Sequence, residues 1–213
     1  MKKVIIFGFS GLTKGFIVNN LDYLWKGDIS YDIECIYLDK EYIKESSFEG
    51  IPIVSDVSQY KNYNCTVLTY HHDLRKKWIK LADSLEMEHI SIIHKDNYIA
   101  QNVKIGKGCF IGQNNIIESS VTIGDYFIAG YNNRIGHDSV ISDFCHTYVG
   151  ANIGGFNTIG NNTSICSSSC TKEYVNIGDN STLGLGAVLF KDLNDNCTAI
   201  GNPARIVKND KNT

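Results

Sequence analysis

Between residues 99 and 189 an aliphatic side chain returns at every sixth position without an insertion. The register runs from Ile99, Ile105, Ile111 and Ile117 to Ile177, Leu183 and Leu189, with Ala129, Thr147 and Thr171 standing in for the aliphatic residue. Two residues earlier, on the same side of an extended strand, stand small or β-branched residues such as Val103, Cys109, Val121, Ser139, Cys145, Ala151 and Thr163. A glycine often follows, as at Gly106, Gly124, Gly136, Gly154 and Gly178. A helical period of 3.6 would scatter these positions around its surface, so the segment cannot be helical. The pattern fits a parallel β-helix in which three hexads close one triangular coil, and the span holds roughly five coils. Each apolar face is covered only when coils stack on one another.

The chain has 213 residues, room for a second modest domain beside the solenoid. A net charge of -3 argues against general nucleic-acid binding, which needs a basic face to neutralise phosphates. The seven cysteines are odd in number and form no CxxC pair. Cys109 and Cys145 fall on small inward positions, as reduced thiols would, which points to a reducing, cytoplasmic compartment. The apolar run Val4–Phe7 ends at Gly8 without a cleavage-site pattern, so it reads as a strand. No stretch approaches the roughly 20 apolar residues of a membrane span.

Before the repeat, strands and helices alternate. A strand at Val4–Phe7 leads through Gly8-Phe9-Ser10-Gly11 into a helix expected over Thr13–Leu24. Further strands are expected at Ile33–Leu38 and Thr66–Thr69. A helix over Asp73–Glu86 is expected to have Asp73 as its N-cap, and a last short strand spans His89–Ile93. The fold class is therefore a small Rossmann-like α/β domain over 1–94, followed by the β-helix over 95–213. The tail from Thr198 to Lys208 leaves the repeat and ends in charged residues that are expected to fray.

The first glycine turn suits a phosphate, because such folds bind ligands at the carboxyl ends of their strands. Ser10 stands where a dinucleotide fingerprint needs its second glycine, which excludes NAD. The turn equally serves close packing of strand on helix. Inside the repeat, Gly136-His137-Asp138 sets an imidazole beside a carboxylate, a pairing suited to a general base and equally compatible with an incidental surface histidine. One coil beyond His137 lies Gly155, which leaves room for a ligand and a backbone N–H able to face an oxyanion. His146 lies one and a half hexads on, so only a ligand or a neighbouring subunit could connect it with His137. A zinc site needs three convergent histidines and the repeat holds two, so no metal is expected. Neither Cys145 nor Cys170 has a base at suitable spacing to serve as a nucleophile.

These motifs resemble the left-handed β-helix (hexapeptide-repeat) acetyltransferases of the branch containing sialic acid O-acetyltransferases and nucleotide-linked 4-amino-sugar N-acetyltransferases. The resemblance rests on Gly8-Phe9-Ser10-Gly11, Tyr37-Leu38-Asp39, Ile93-His94, Gly136-His137-Asp138 and Gly201-Asn202-Pro203-Ala204. It implies a left-handed coil, a homotrimer with sites between subunits, and acetyl-CoA as co-substrate. It further implies direct transfer of the acetyl group to a nucleotide-linked amino sugar, such as a 4-amino-4,6-dideoxy sugar, for surface glycan synthesis. By position, His137 would be the base and Asp138 its partner. His146, Gly155, Gly184, Gly186, Ala187, Pro203 and Arg205 would meet acetyl-CoA, and Gly8, Ser10, Gly11, Asp39 and Arg75 would meet the acceptor. Leu12 and Tyr70-His71 depart from the family's usual His and Gly-Asn. The alternatives are O-acetylation of a sialic acid type of sugar and a non-catalytic trimeric scaffold that binds a metabolite.

Overall fold

The computed structural model describes residues 2–18, 23–24 and 31–209, arranged as two compact units, Met1–Lys95 and Asp96–Thr213. In the first unit the central strand Lys2–Phe7 is flanked in parallel by Tyr31–Tyr37 and Asn64–Val67. Ile51–Val54 extends the sheet in parallel beyond Tyr31–Tyr37, and Glu88–His89 extends it beyond Asn64–Val67. Numbered along the chain, these five parallel strands lie in the order 3-2-1-4-5, and Ser47–Phe48 adds an antiparallel edge. Val4, Ile5, Ile6 and Phe7 are all fully buried, as a continuously apolar central strand requires.

Local structure departs from the sequence reading in several places. The first helix, α1, spans Gly11–Val18. Tyr23–Leu24, expected to be helical, instead form a short strand antiparallel to Ile93–His94, and the intervening 19–22 fall outside the described residues. Helix α2 spans His72–Ser84, and its N-cap is His71, whose Nδ1 accepts the Leu74 N–H at 3.3 Å. Asp73 sits in the first turn instead, where its charge still favours the helix dipole. Thr69 lies beyond the strand expected to include it. The strand Ile51–Val54 escaped notice because Pro52 argues against a strand; it pairs with Ser47 at the antiparallel edge.

The second unit is a three-sided parallel β-helix. Its two-residue strands pair one full coil apart, as in Ile117↔Ile135, Ile135↔Ile153 and Ile141↔Ile159. The register residues point inward; Ile117, Ile135, Ile153, Ile159, Ile165 and Leu183 are each 1% exposed or less. The small positions two residues earlier are buried as well, with Ser139, Thr163 and Ser169 fully enclosed. Asn115, Asn133 and Asn157 occupy this inward position and form ladders. The Asn115 Oδ1 accepts the Asn133 N–H at 2.9 Å, and the Asn133 Oδ1 accepts the Ala151 N–H at 2.8 Å. Paired in this way, the buried amides do not carry the cost of unsatisfied polar groups.

Coil-to-coil approach is closest at the glycines that follow the register. A Cβ on Gly136 would lie 2.5 Å from the Gly155 nitrogen and 2.7 Å from the Gly154 carbonyl carbon, so only glycine fits. The tail forms a strand at Arg205–Asn209, and the charged end expected to fray lies beyond it, outside the described residues. Cys197–Ile200 pairs in parallel with Thr182–Leu183, then Arg205–Asn209 folds back antiparallel upon it. This hairpin continues one face of the solenoid through backbone pairing, which lies outside the hexad register and so has no signal in the repeat. Truncating a fully enclosed register residue should be costly. Ile153→Ala is expected to destabilise the solenoid by about 2–5 kcal/mol, seen as a lower denaturation midpoint in urea.

Candidate active site

The strand Arg134–Ile135 delivers Gly136, His137 and Asp138 to one corner of the solenoid. Asp138 turns that corner with φ 57°, an αL conformation that aspartate tolerates better than most residues. The turn brings its Oδ2 to 2.9 Å from His137 Nδ1. With the Nδ1–H donated to the carboxylate, Nε2 carries the free lone pair. The imidazole and carboxylate are 41% and 42% exposed, so both are open to a ligand. The hydrogen bond that His137 donates to Asp138 chiefly raises the His137 pKa above the ordinary imidazole value, aided by the charges of Asp138, Glu118 and Glu173.

Gly155 lies directly over this ring. A Cβ there would stand 3.0 Å from His137 Nε2 and 3.1 Å from Cε1, so the absent side chain is what leaves Nε2 accessible. The Gly155 carbonyl accepts the Tyr174 N–H, and the His137 carbonyl accepts the Phe156 N–H. The Gly155 N–H itself finds no acceptor among the described residues. A lone pair and a free backbone donor thus share one corner.

Three neighbours were not anticipated from the sequence. Glu118 accepts the His137 backbone N–H at 3.0 Å through Oε2, while its Oε1 accepts from Arg134 Nε at 2.9 Å and from Arg134 Nη2. Phe156 packs edge-on against the imidazole at 5.0 Å, and Tyr174 stacks on Phe156 at 4.7 Å. Both aromatics hold positive φ, with Asp138 one coil before Phe156. Counting in whole coils from Gly136 and Asp138 would have found Glu118 and Phe156.

The residues expected to meet acetyl-CoA are dispersed. His146 occupies a different face, in the strand His146–Thr147 between Ile128 and Ser164, and is 2% exposed with its ring against Tyr148. Ala187 is a fully buried inward residue, so packing alone accounts for it. Gly184 packs under Ile200, and Gly186 turns a corner with φ +63°. Pro203 and Arg205 line a cleft of about 630 Å³ with Leu189, Phe190 and Lys191 at the hairpin end of the solenoid.

In the α/β unit, a cleft of about 400 Å³ opens at the carboxyl ends of the central strands, where the strand order reverses. Gly8, Ser10, Lys14, Lys44 and Trp78 are among the residues lining it. Gly8 holds φ +113°, and a Cβ there would meet the Leu68 carbonyl oxygen at 2.6 Å. Gly11 opens α1, whose first-turn N–H groups a helix leaves unpaired. Lys14 lies over the rings of Phe9 and Phe48, at 4.5 and 5.4 Å.

Asp39 and Arg75 do not line this cleft. The Asp39 carboxylate takes hydrogen bonds from Tyr37 Oη and Trp78 Nε1, each at 3.1 Å, and an ion pair from Lys77 at 2.8 Å. Burial alone would raise its pKa, and these donors reverse that and hold it below the ordinary carboxylate value. Arg75 is 1% exposed, with its Nη2 3.1 Å from His72 Nδ1. Burial and the adjacent guanidinium push His72 down to about 4, so it is neutral near pH 7. Asp39 thus meets the cleft through Trp78, which lines it, and Arg75 is engaged by His72.

Elsewhere, Cys65, His89 and Asp83 align like a nucleophile relay, with 3.5 Å from thiol to Nδ1 and 2.8 Å from Nε2 to carboxylate. Burial pushes the thiol up to about 12, which disarms it. Among the described residues no group of three His, Cys, Asp or Glu side chains is placed to hold a metal ion. Nor is any helix among them long and apolar enough to cross a membrane.

No protein-family model matches the sequence. The chain is 28% identical over 75 residues to a serine acetyltransferase of Synechococcus elongatus, covering 32% of this chain and 31% of that protein. It is 43% identical over 51 residues to a galactoside O-acetyltransferase of Escherichia coli, covering 24% of this chain and 25% of that protein. The chain thus spans between a quarter and a third of the length of these curated relatives. Among solved structures, it is similar to a variant of perosamine N-acetyltransferase from Caulobacter crescentus in complex with CoA and GDP-perosamine. That likeness has a TM-score of 0.86 at 22% identity and covers 98% of both chains. It is likewise similar to the acetyltransferase domain of PglB from Neisseria gonorrhoeae in complex with acetyl coenzyme A, with a TM-score of 0.83 at 22% identity over 97% of this chain and 99% of that one. The fold is that of the hexapeptide-repeat acetyltransferases.

Proposed function

We propose that this chain is an acetyl-CoA-dependent N-acetyltransferase acting on a nucleotide-linked amino sugar, with His137 as its general base. The observation that carries the reading is the corner itself, where a carboxylate-held imidazole faces, one coil on, a glycine with a free N–H. Similarity to chains crystallised with CoA, acetyl-CoA and GDP-perosamine supports the choice of donor and acceptor. The α/β unit would bind the nucleotide in a Rossmann-like manner, through the Gly8–Gly11 turn and the lysines of its cleft. The solenoid would coil left-handed and assemble as a cytoplasmic homotrimer serving surface glycan synthesis, as the resemblance implies.

The chemistry follows from the geometry. The acceptor amine attacks the thioester carbonyl carbon as His137 Nε2 takes its proton, and Asp138 stabilises the imidazolium that forms. The Gly155 N–H donates to the oxyanion of the tetrahedral intermediate. Collapse breaks the carbon–sulfur bond, and the imidazolium returns its proton to the departing CoA thiolate.

A base must be neutral to accept a proton, so the rate rises with pH through the His137 pKa. Because Asp138 raises that pKa, Asp138→Asn should move the acid limb of kcat/KM to lower pH. Its plateau should also fall, on the order of a hundredfold, as the tautomer is no longer fixed. A pH–rate series on both proteins checks each effect. O-acetylation is the second reading, favoured by the identity to the galactoside O-acetyltransferase. Treating the acetylated product with alkaline hydroxylamine separates the two, since an ester is cleaved and an amide survives.

A further inference from the structure

We propose that Glu118 is a positioning residue for His137, holding the peptide unit of the base from one coil behind because Gly155 cannot hold it from one coil ahead. At the corner that follows the Thr122–Ile123 and Thr158–Ile159 strands, each equivalent N–H is tied to a side chain of the next coil. Asp125 donates to Asp143 at 2.8 Å, Asn161 to Asp179 at 2.7 Å, and Asp179 to Asp195 at 3.0 Å. The same rung at the His137 corner would have to come from residue 155. That residue is glycine, with no acceptor to offer and its Cβ position taken up by the approach to Nε2.

Glu118 fills the missing rung from the opposite direction, accepting the His137 N–H at 3.0 Å. Its second oxygen is occupied by Arg134, which fixes the carboxylate and keeps it from swinging away. The carboxylate is 22% exposed, so it is held at the corner rather than free in solvent. Gly155 offers the His137 N–H no side-chain acceptor, and Glu118 tethers it without entering the space beside the base. The charged groups facing the imidazole are Asp138, Glu118 and Glu173, with Arg134 shielding Glu118. Glu118 thereby acts on the base in two separable ways, by a hydrogen bond and by charge.

This inference rests on the reading of His137 as the base, and two variants test it. Glu118→Ala removes both effects and should lower kcat on the order of tenfold, with KM for acetyl-CoA unchanged. Glu118→Gln keeps an acceptor for the N–H and should recover most of that loss. With an anion gone, it should shift both the NMR titration of the His137 imidazole and the acid limb of the rate to lower pH. Full turnover in Glu118→Ala, or an unmoved His137 titration in Glu118→Gln, would overturn the proposal. The titration is recorded without substrate, so it reports on Glu118 even if activity in His137→Ala shows that the base lies elsewhere.

Discussion

Replacing His137 by alanine should lower kcat for acetyl transfer on the order of a thousandfold, while thermal unfolding stays close to that of the parent protein. The magnitude is that of a general base taking a proton in the transition state. The unchanged stability follows from exposure, because the ring is 41% open and its contacts are with Asp138 and the edge of Phe156. The neighbouring tether is untouched, since Glu118 binds the backbone N–H that alanine retains. Binding of CoA, measured calorimetrically, should persist. A parallel fall in activity and unfolding temperature would instead assign His137 a structural role.

The second large effect concerns the residue with no side chain. Gly155→Ala would set a methyl group 3.0 Å from Nε2 and 3.2 Å from the His137 carbonyl oxygen. Gly155 is not among the glycines with positive φ, so its backbone accepts alanine and the fold should survive. The methyl must displace the ring or occupy the space an acceptor amine needs. A displacement of this size at a reacting atom costs about a hundredfold in kcat/KM. The cost in stability should remain within the 1–3 kcal/mol typical of mild overpacking. Steady-state kinetics beside a denaturation curve measure both quantities, and unaltered kcat/KM would remove Gly155 from the site.

The solenoid was legible because its constraint repeats. Every inward position from Ile117 to Leu183 reports the same geometry, so chance deviations such as Thr147 do not obscure the period. The His137, Asp138 and Gly155 corner was legible for the same reason, since one coil is a fixed count of residues. The same count places Glu118 one coil behind Gly136, but its hydrogen bond to the His137 backbone N–H depends on where the side chain reaches, which no residue-type pattern encodes. In the α/β unit each element is specified once. Tyr23–Leu24 read as helix from local apolar spacing, yet pairing with Ile93–His94 decides its conformation. Asp39 and Arg75, which the resemblance led one to expect at the acceptor, are engaged by Tyr37, Lys77, Trp78 and His72. The strand Arg205–Asn209 was not expected because it lies outside the repeat and its conformation is decided by antiparallel pairing with Cys197–Ile200.

The most direct test is release of free thiol from acetyl-CoA, followed spectrophotometrically, against UDP-, dTDP- and GDP-linked amino sugars and free sialic acid. Rapid release with one amino-sugar nucleotide, abolished in His137→Ala, is the result expected. Release confined to free sialic acid, or equal release by the parent protein and His137→Ala, would contradict it.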